Sequence, residues 1–226
     1  MTNDHRQRVY WEADHGFRLY DHPVVRFFAM QRIRFIQNWL DLEHTANALD
    51  IGCGDGFSTY YMYESVRNIW AVDRSHRMLT RHPLKNLGRV AMSDALKLPF
   101  GDNTFDLVFG WEMLHHIAEP ARAVAEMARV SRRYVLTAEP NRNNPLQFAF
   151  ALLDREHRWV LHYTLPFMQG LFESVGLQVE RAASGGWVFP NKTPTWLLPL
   201  LQRLPYTSPI GISNWVLGSK PSSHAV

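Results

Sequence analysis

Ala48-Leu-Asp-Ile-Gly-Cys-Gly-Asp-Gly56 closes a short apolar run, residues 46–51, with glycine at three alternate positions. A run of that length reads as a buried strand, and Phe57 to Val66 after it as a helix. Glycine accepts positive φ and has no Cβ to hold a ligand off, and a helix start offers unpaired N–H groups. The stretch therefore suits a ligand laid against the main chain. An ordinary tight strand-to-helix turn has the same pattern. A dinucleotide fingerprint would want its third glycine at position 57, where Phe57 stands.

Downstream blocks separate these readings. Ile69-Trp-Ala-Val-Asp73 reads as a second strand ending in an acid, where a ribose lies in a doubly wound sheet. Arg89-Val-Ala-Met-Ser-Asp94 reads as a third, again ending in an acid. Leu98-Pro-Phe-Gly-Asp-Asn-Thr-Phe-Asp-Leu-Val-Phe109 is a turn feeding a fourth strand, followed by Glu112-Met-Leu-His-His-Ile117. In this order and spacing, from Ala46 to Asn141, the blocks resemble the class I S-adenosylmethionine-dependent methyltransferases, in particular the broad subfamily that includes the quinone-biosynthesis methylases.

That resemblance implies a cofactor, S-adenosyl-L-methionine, with S-adenosyl-L-homocysteine as product and no metal. Asp50 would face the methionine ammonium, and Gly52 and Gly54 would let the main chain lie against methionine and ribose, with Gly56 serving helix–strand packing. Asp73 would take both ribose hydroxyls, having two acceptor oxygens. Arg74 and Trp111 complete the cofactor set, with Asp94 accepting from the adenine amino group and the Ala95 N–H facing a ring nitrogen. His115 and His116 lie near the methyl's departure point, where an imidazole could take the acceptor's proton. Hydrogen bonding within the loop is the equal alternative for them, and Glu112 and Glu139 are further candidates at that edge. Asp106 opens the fourth strand at the opposite edge and is assigned a structural role; Cys53 is a small residue that fits its turn.

Length and composition bound the rest. The chain has 226 residues, 46% of them hydrophobic and 20% charged, enough for one globular domain with a sizeable core. A net charge of +3 without basic runs gives no sign of nucleic-acid binding. The single cysteine excludes an internal disulfide. Spacings of the CxxC or HExxH kind are absent, and adjacent histidines on a helix would point apart rather than chelate one ion. Met1 to Arg8 is polar, and no apolar run nears the ~20 residues of a transmembrane segment, so a cytoplasmic protein is expected.

Strands alternating with helices predict an α/β fold: a Rossmann-like doubly wound sheet of seven strands with helices on both faces. The last strand, Ile212 to Ser219, is antiparallel by resemblance. Residues 1–45 read as an N-terminal helical lid and 46–220 as the methyltransferase domain. In the lid, Asp21-His-Pro23 starts a helix that an aspartate can cap. Val24, Phe27, Phe28, Phe35 and Trp39 fall near one face of it, with Arg26, Arg32 and Arg34 off it. Tyr10, Trp11, Phe17 and Tyr20 ahead of it should be buried.

Residues 185–210 form an apolar insertion between the last two strands. Trp187, Phe189, Trp196 and four leucines, broken by Pro190, Pro194, Pro199 and Pro205, could build an apolar wall. Such a wall suits a small-molecule or lipid-linked acceptor. Completion of the core, a homodimer contact and a membrane surface are the other uses. Methyl transfer to such an acceptor is the expected function. Nucleic-acid or protein methylation is the runner-up, although Gly110-Trp-Glu-Met stands where amino-methylating nucleic-acid enzymes carry Asn/Asp-Pro-Pro-aromatic. Cofactor binding without turnover is the non-enzymatic alternative.

Overall fold

The computed structural model describes residues 9–13 and 16–221. The polar start, 1–8, and the tail, 222–226, lie outside them. Seven strands form one sheet in the order β3-β2-β1-β4-β5-β7-β6. They are β1 (Asn47–Ile51), β2 (Asn68–Asp73), β3 (Val90–Met92), β4 (Phe105–Trp111), β5 (Ser131–Pro140), β6 (Gln178–Gly185) and β7 (Ser213–Ser219). β1 to β5 pair in parallel, and β7 lies antiparallel between β5 and β6. Strand order reverses between β1 and β4, so a crevice opens at their carboxyl ends, where ligands bind in open α/β sheets.

Alternation along the strands feeds two cores, as expected where helices cover both faces. Val108, Val135 and Val216 meet Val124 and Met127 of α4 (Pro120–Val130) and Met168 and Phe172 of α6 (Leu165–Ser174). Their neighbours Leu107, Phe109, Leu136 and Leu217 meet Ile33 and Ile36 of α1 (Pro23–Gln37) and Tyr61 and Met62 of α2 (Phe57–Tyr63). Each such buried side chain stabilises by about 1.5–3 kcal/mol. Val124→Asp, a charge at a fully buried position, is the single change that would break the first core.

Two details of α1 depart from expectation. Its cap is His22, whose Nδ1 accepts the Val24 N–H at 3.2 Å, and not Asp21. Pro23 at the first helical position makes residue 22 the one whose side chain reaches that N–H. Arg32 is on the buried face, 1% exposed, one helical turn from Phe28 and with its guanidinium 3.9 Å over that ring.

The insertion is pinched at its neck. Gly186 N–H donates to Tyr206 O at 2.8 Å and Ile212 N–H to Gly186 O at 2.9 Å. A Cβ on Gly211 would stand 2.4 Å from Gly185 Cα, so only glycine fits there. Beyond the neck a 3-10 turn (Thr195–Leu197) and the short α7 (Leu198–Leu201) fold back on α1, where Leu198 and Leu201 pack with Val24 and Phe28. Arg18 ties the N-terminal segment to the same insertion, donating to Pro190 O at 3.0 Å and Thr193 O at 2.8 Å. Trp196 remains 77% exposed. A groove of about 640 Å³ between α1 and the insertion is lined by Phe27, Met30, Phe35, Leu198, Leu204 and Tyr206 among others, and shares no residue with the glycine turn.

Candidate functional site

Gly52, Gly54 and Gly56 all take positive φ, +67°, +54° and +85°. The turn is pinned to β2, with Gly52 N–H and Cys53 N–H both donating to Val72 O at 2.8 and 3.1 Å. The three glycines differ in what surrounds them. A Cβ on Gly52 would lie 2.7 Å from Met113 Cβ, and one on Gly56 2.3 Å from the His82 ring. Gly54 meets nothing nearer than 3.4 Å, so it is the member of the turn that leaves space. Cys53 is buried, and burial pushes its thiol up, which suits a packing role.

Asp50 is fully buried at the end of β1. Its Oδ2 accepts from Ser58 Oγ at 2.6 Å and Thr59 Oγ1 at 2.7 Å, both in the first turn of α2. Its Oδ1 has no partner among the described residues. Burial, outweighing those two hydrogen bonds, raises its pKa to about 7. Behind it stands His82, whose Nδ1 accepts the Leu84 N–H at 3.1 Å, leaving Nε2–H to donate to Thr59 Oγ1 at 3.1 Å. Thr59 then passes its own hydroxyl hydrogen to Asp50. Burial lowers His82 to about 4, which keeps its imidazole neutral.

Asp73, at the end of β2, accepts Gly54 N–H on Oδ2 at 2.9 Å and Ser75 N–H on Oδ1 at 2.8 Å. Burial raises its pKa against those two bonds. A carboxylate has about four lone-pair sites, so each oxygen can accept one more hydrogen. Arg74 beside it is exposed. Asp94 is exposed beyond β3, its Oδ1 accepting Leu96 N–H at 2.9 Å across half-buried Ala95. Asp106, at the opposite edge, accepts Asn47 N–H at 3.0 Å and pairs with Arg132 at 2.8 Å, a brace between strands.

Across the crevice, β4 ends differently from expectation. Trp111 is only 4% exposed and packs among Phe57, Phe109 and Trp215, with its indole N–H unpartnered. It is a core residue and not an open ring at the crevice, because its position in β4 points it to the α1 face with Leu107 and Phe109. Glu112 follows at φ +60°, unusual for a non-glycine residue. Its carboxylate pairs with Arg32 and accepts Ser213 Oγ at 3.0 Å. Arg32 also donates to Ser213 at 2.6 Å, while its Nη1 has no partner.

Glu139, fully buried at the end of β5, accepts N–H groups of Met113, Leu114 and His115 at 3.0, 2.8 and 3.2 Å, and faces His115 Nδ1 at 2.7 Å. It shapes the Leu114–His116 turn. His116 has an unpartnered Nδ1, and burial holds its pKa well below the usual imidazole value. His157 comes against the pair from a later segment, edge-on to His116 with centroids 5.6 Å apart. The N-terminal segment bridges the crevice: Trp11 O accepts Ser75 Oγ at 3.2 Å, and its indole stands edge-on to His116 at 5.0 Å.

Residues 49–134 match a protein family described as a methyltransferase domain. That match gives the chain a methyltransferase domain over those residues. The chain is 36% identical over 95 residues to phosphatidylethanolamine N-methyltransferase of Cereibacter sphaeroides, covering 38% of the chain and 45% of that relative. It is 26% identical to 2-methyl-6-phytyl-1,4-hydroquinone methyltransferase of Synechocystis sp., over 90% of the chain and 70% of the relative. The chain thus spans less than half the length of the first relative. Its fold is similar to that of a methyltransferase from Thermotoga maritima titled a possible histamine N-methyltransferase, with TM-score 0.67, 16% identity, and coverage of 88% and 92%.

The fold brings Asp50, Gly52, Gly54 and Asp73 around one turn. Asp94 and Ala95 follow β3 at the same edge, and His115 and His116 stand across the crevice, while Trp111 goes into the core. The sequence reading missed Arg32, Ser213 and His157. Arg32 could have been found from its i+4 spacing to Phe28. Ser213 and His157 carry no local signal.

Proposed function

We propose that the chain moves a methyl group from S-adenosylmethionine to a small apolar or lipid-linked acceptor. The carrying observation is Asp50 Oδ1, a buried carboxylate oxygen without a partner beside a glycine turn that leaves space only at Gly54. Such an oxygen asks for a cationic donor, and an ammonium supplies one. Asp73 would hold the ribose hydroxyls and Asp94, with the Ala95 N–H, the adenine. Bound there, S-adenosylmethionine supplies a methyl carbon already activated by the sulfonium charge. The chain's own work is then alignment and exclusion of water, and proximity alone supplies roughly 7–11 kcal/mol of barrier reduction.

The segment carrying Trp11 acts as the lid, because it spans from Ser75 at the ribose side to His116 at the acceptor side. Removal of the acceptor's proton falls to the His115–His116 turn, through a neutral imidazole or an ion that the imidazoles hold. The acceptor class rests on apolar surface nearby. α5 (Pro145–Leu153) leaves Leu146, Phe148, Phe150, Leu152 and Leu153 exposed, the last at 88%, and Phe150 packs on His157 at 5.0 Å. No helix among the described residues is long and apolar enough to cross a membrane. A helix of this kind can still lie against lipid, where a prenylated ring or an aminophospholipid would be met. The two curated relatives are named for such acceptors.

The test uses methyl-labelled S-adenosylmethionine with a phytyl hydroquinone or with phosphatidylethanolamine vesicles. Label passing to the organic phase supports the reading. Cofactor that binds while no label moves to either acceptor, or label that moves to RNA instead, would overturn it.

A further inference from the structure

Three imidazoles from two distant segments converge beside the crevice. One ring nitrogen from each of His115, His116 and His157 lies within 4.8 Å of the others. We infer that these three histidines form a binding site for one divalent transition-metal ion, zinc first by ligand chemistry. The inference stands apart from the cofactor assignment and uses none of the cofactor residues.

Adjacent histidines diverge on an α-helix, but these two sit on a 3-10 turn at Leu114–His116, and their ring centroids are 3.9 Å apart. Glu139 sets that turn by taking three successive main-chain N–H groups. The same carboxylate faces His115 Nδ1 at 2.7 Å, which places the hydrogen there and leaves Nε2 as a lone-pair donor. His157 has a matching partner, with Asp154 Oδ2 at 3.0 Å from its Nδ1. A carboxylate behind these two imidazoles is the arrangement that orients metal-bound histidines and raises their basicity. His116 contributes the independent sign, a buried Nδ1 that no group among the described residues satisfies.

Neutral imidazoles select zinc, copper, nickel or iron over magnesium or calcium, which want oxygen. Three nitrogens leave the fourth tetrahedral position open, as catalytic zinc sites do. Bonds of ~2.1 Å at tetrahedral angles put donors about 3.4 Å apart, closer than the present spread. Trp11 and Phe150 wall the cluster with aromatic rings, which limits water and strengthens ligation. An acceptor hydroxyl in the open position would lose its proton more readily, since a bound divalent ion lowers the pKa of such a ligand.

The experiment titrates zinc into chelator-stripped full-length protein by calorimetry and records the visible spectrum with cobalt in its place. One ion per chain at micromolar affinity or better, with the intense bands of tetrahedral cobalt, is expected. His157→Ala should weaken zinc by more than tenfold, and Asp154→Asn by about tenfold. The thermal shift given by S-adenosylhomocysteine should be equal in wild type and His157→Ala, which establishes that the variant is folded. No zinc binding by wild type, undiminished binding by His157→Ala, or a weak octahedral cobalt spectrum would overturn the site. Zinc binding without any S-adenosylhomocysteine shift would count against the cofactor reading alone.

Discussion

The two sides of the crevice are assembled by different means. On the β1–β3 side, the acids and glycines come from strand ends and the turn directly after them; main-chain N–H groups hold two of the acids, Gly54 and Ser75 on Asp73 and Leu96 on Asp94, and the hydroxyls of Ser58 and Thr59, eight and nine residues on, hold Asp50. On the β4–β7 side, side chains far apart in sequence hold one another: Arg32 with Glu112 and Ser213, His115 and His116 with His157. A site held by its own backbone keeps its geometry when a neighbour changes. One held by long-range side-chain pairs can change its ligand by changing one residue, at a cost in stability. That contrast accords with relatives named for different acceptors.

The largest expected effect breaks the second side. Arg32→Ala leaves the Glu112 carboxylate and Ser213 without their cation and opens a cavity beneath Phe28. Since Glu112 is 30% exposed, the loss should sit near the lower end of the buried-pair range, about 3 kcal/mol in urea unfolding. A loss under about 0.5 kcal/mol, the level of surface pairs, would mean the pair is no brace. Asp73→Ala should weaken S-adenosylhomocysteine by more than tenfold, from about 1.5–3 kcal/mol of lost charged hydrogen bonds, with circular dichroism unchanged. Equal affinity in the folded variant would remove Asp73 from the cofactor side.

Gly56→Ala separates packing from ligand contact. It forces a side chain into positive φ and against His82, so a stability loss of about 1–3 kcal/mol is expected. Gly88→Ala, also at positive φ but with open space around it, should lose only about 1 kcal/mol. Equal losses at the two positions would show that the His82 contact does not matter.

The smallest effect is a proton. Asp50 has a folded pKa of about 7, above its ordinary 3.8, so between those values the folded chain binds more protons than the unfolded. That contribution to stability is present below 3.8 and is lost as pH rises towards 7. His82 acts oppositely: folded at about 4 against 6.5, it adds stability as pH rises from 4 to 6.5. An ammonium against Asp50 Oδ1 should pull that pKa down, so cofactor binding at pH 7 should release about half a proton. Calorimetry in buffers of different ionisation enthalpy reads it. Proton uptake, or none, would place the cation elsewhere.

Much of the first side was legible because its chemistry is local. Strand hydrophobicity, alternate glycines and terminal acids sit within a few residues of one another, and seven strands followed from the same pattern. The lone Oδ1 of Asp50 and the His82–Thr59 relay behind it were not legible, since they depend on how α2 and residue 82 pack. On the second side, Trp111 was expected in the cofactor set by resemblance, but strand alternation sends it inward. Arg32 was read as lying off the apolar face, since its partner Glu112 is 80 residues away. The histidine pair was read with helical geometry, whereas a 3-10 turn folded around Glu139 turns the rings together. His157 offered no signal at all, arriving from a segment between two helices.

The central claim is that the glycine turn and the acids at the ends of β1 to β3 hold S-adenosylmethionine. Calorimetric titration of S-adenosylmethionine into chelator-treated wild-type protein tests it most directly. The account predicts saturable binding at one site per chain without added metal, with S-adenosylhomocysteine competing for that site. No heat and no thermal shift with either compound would contradict it.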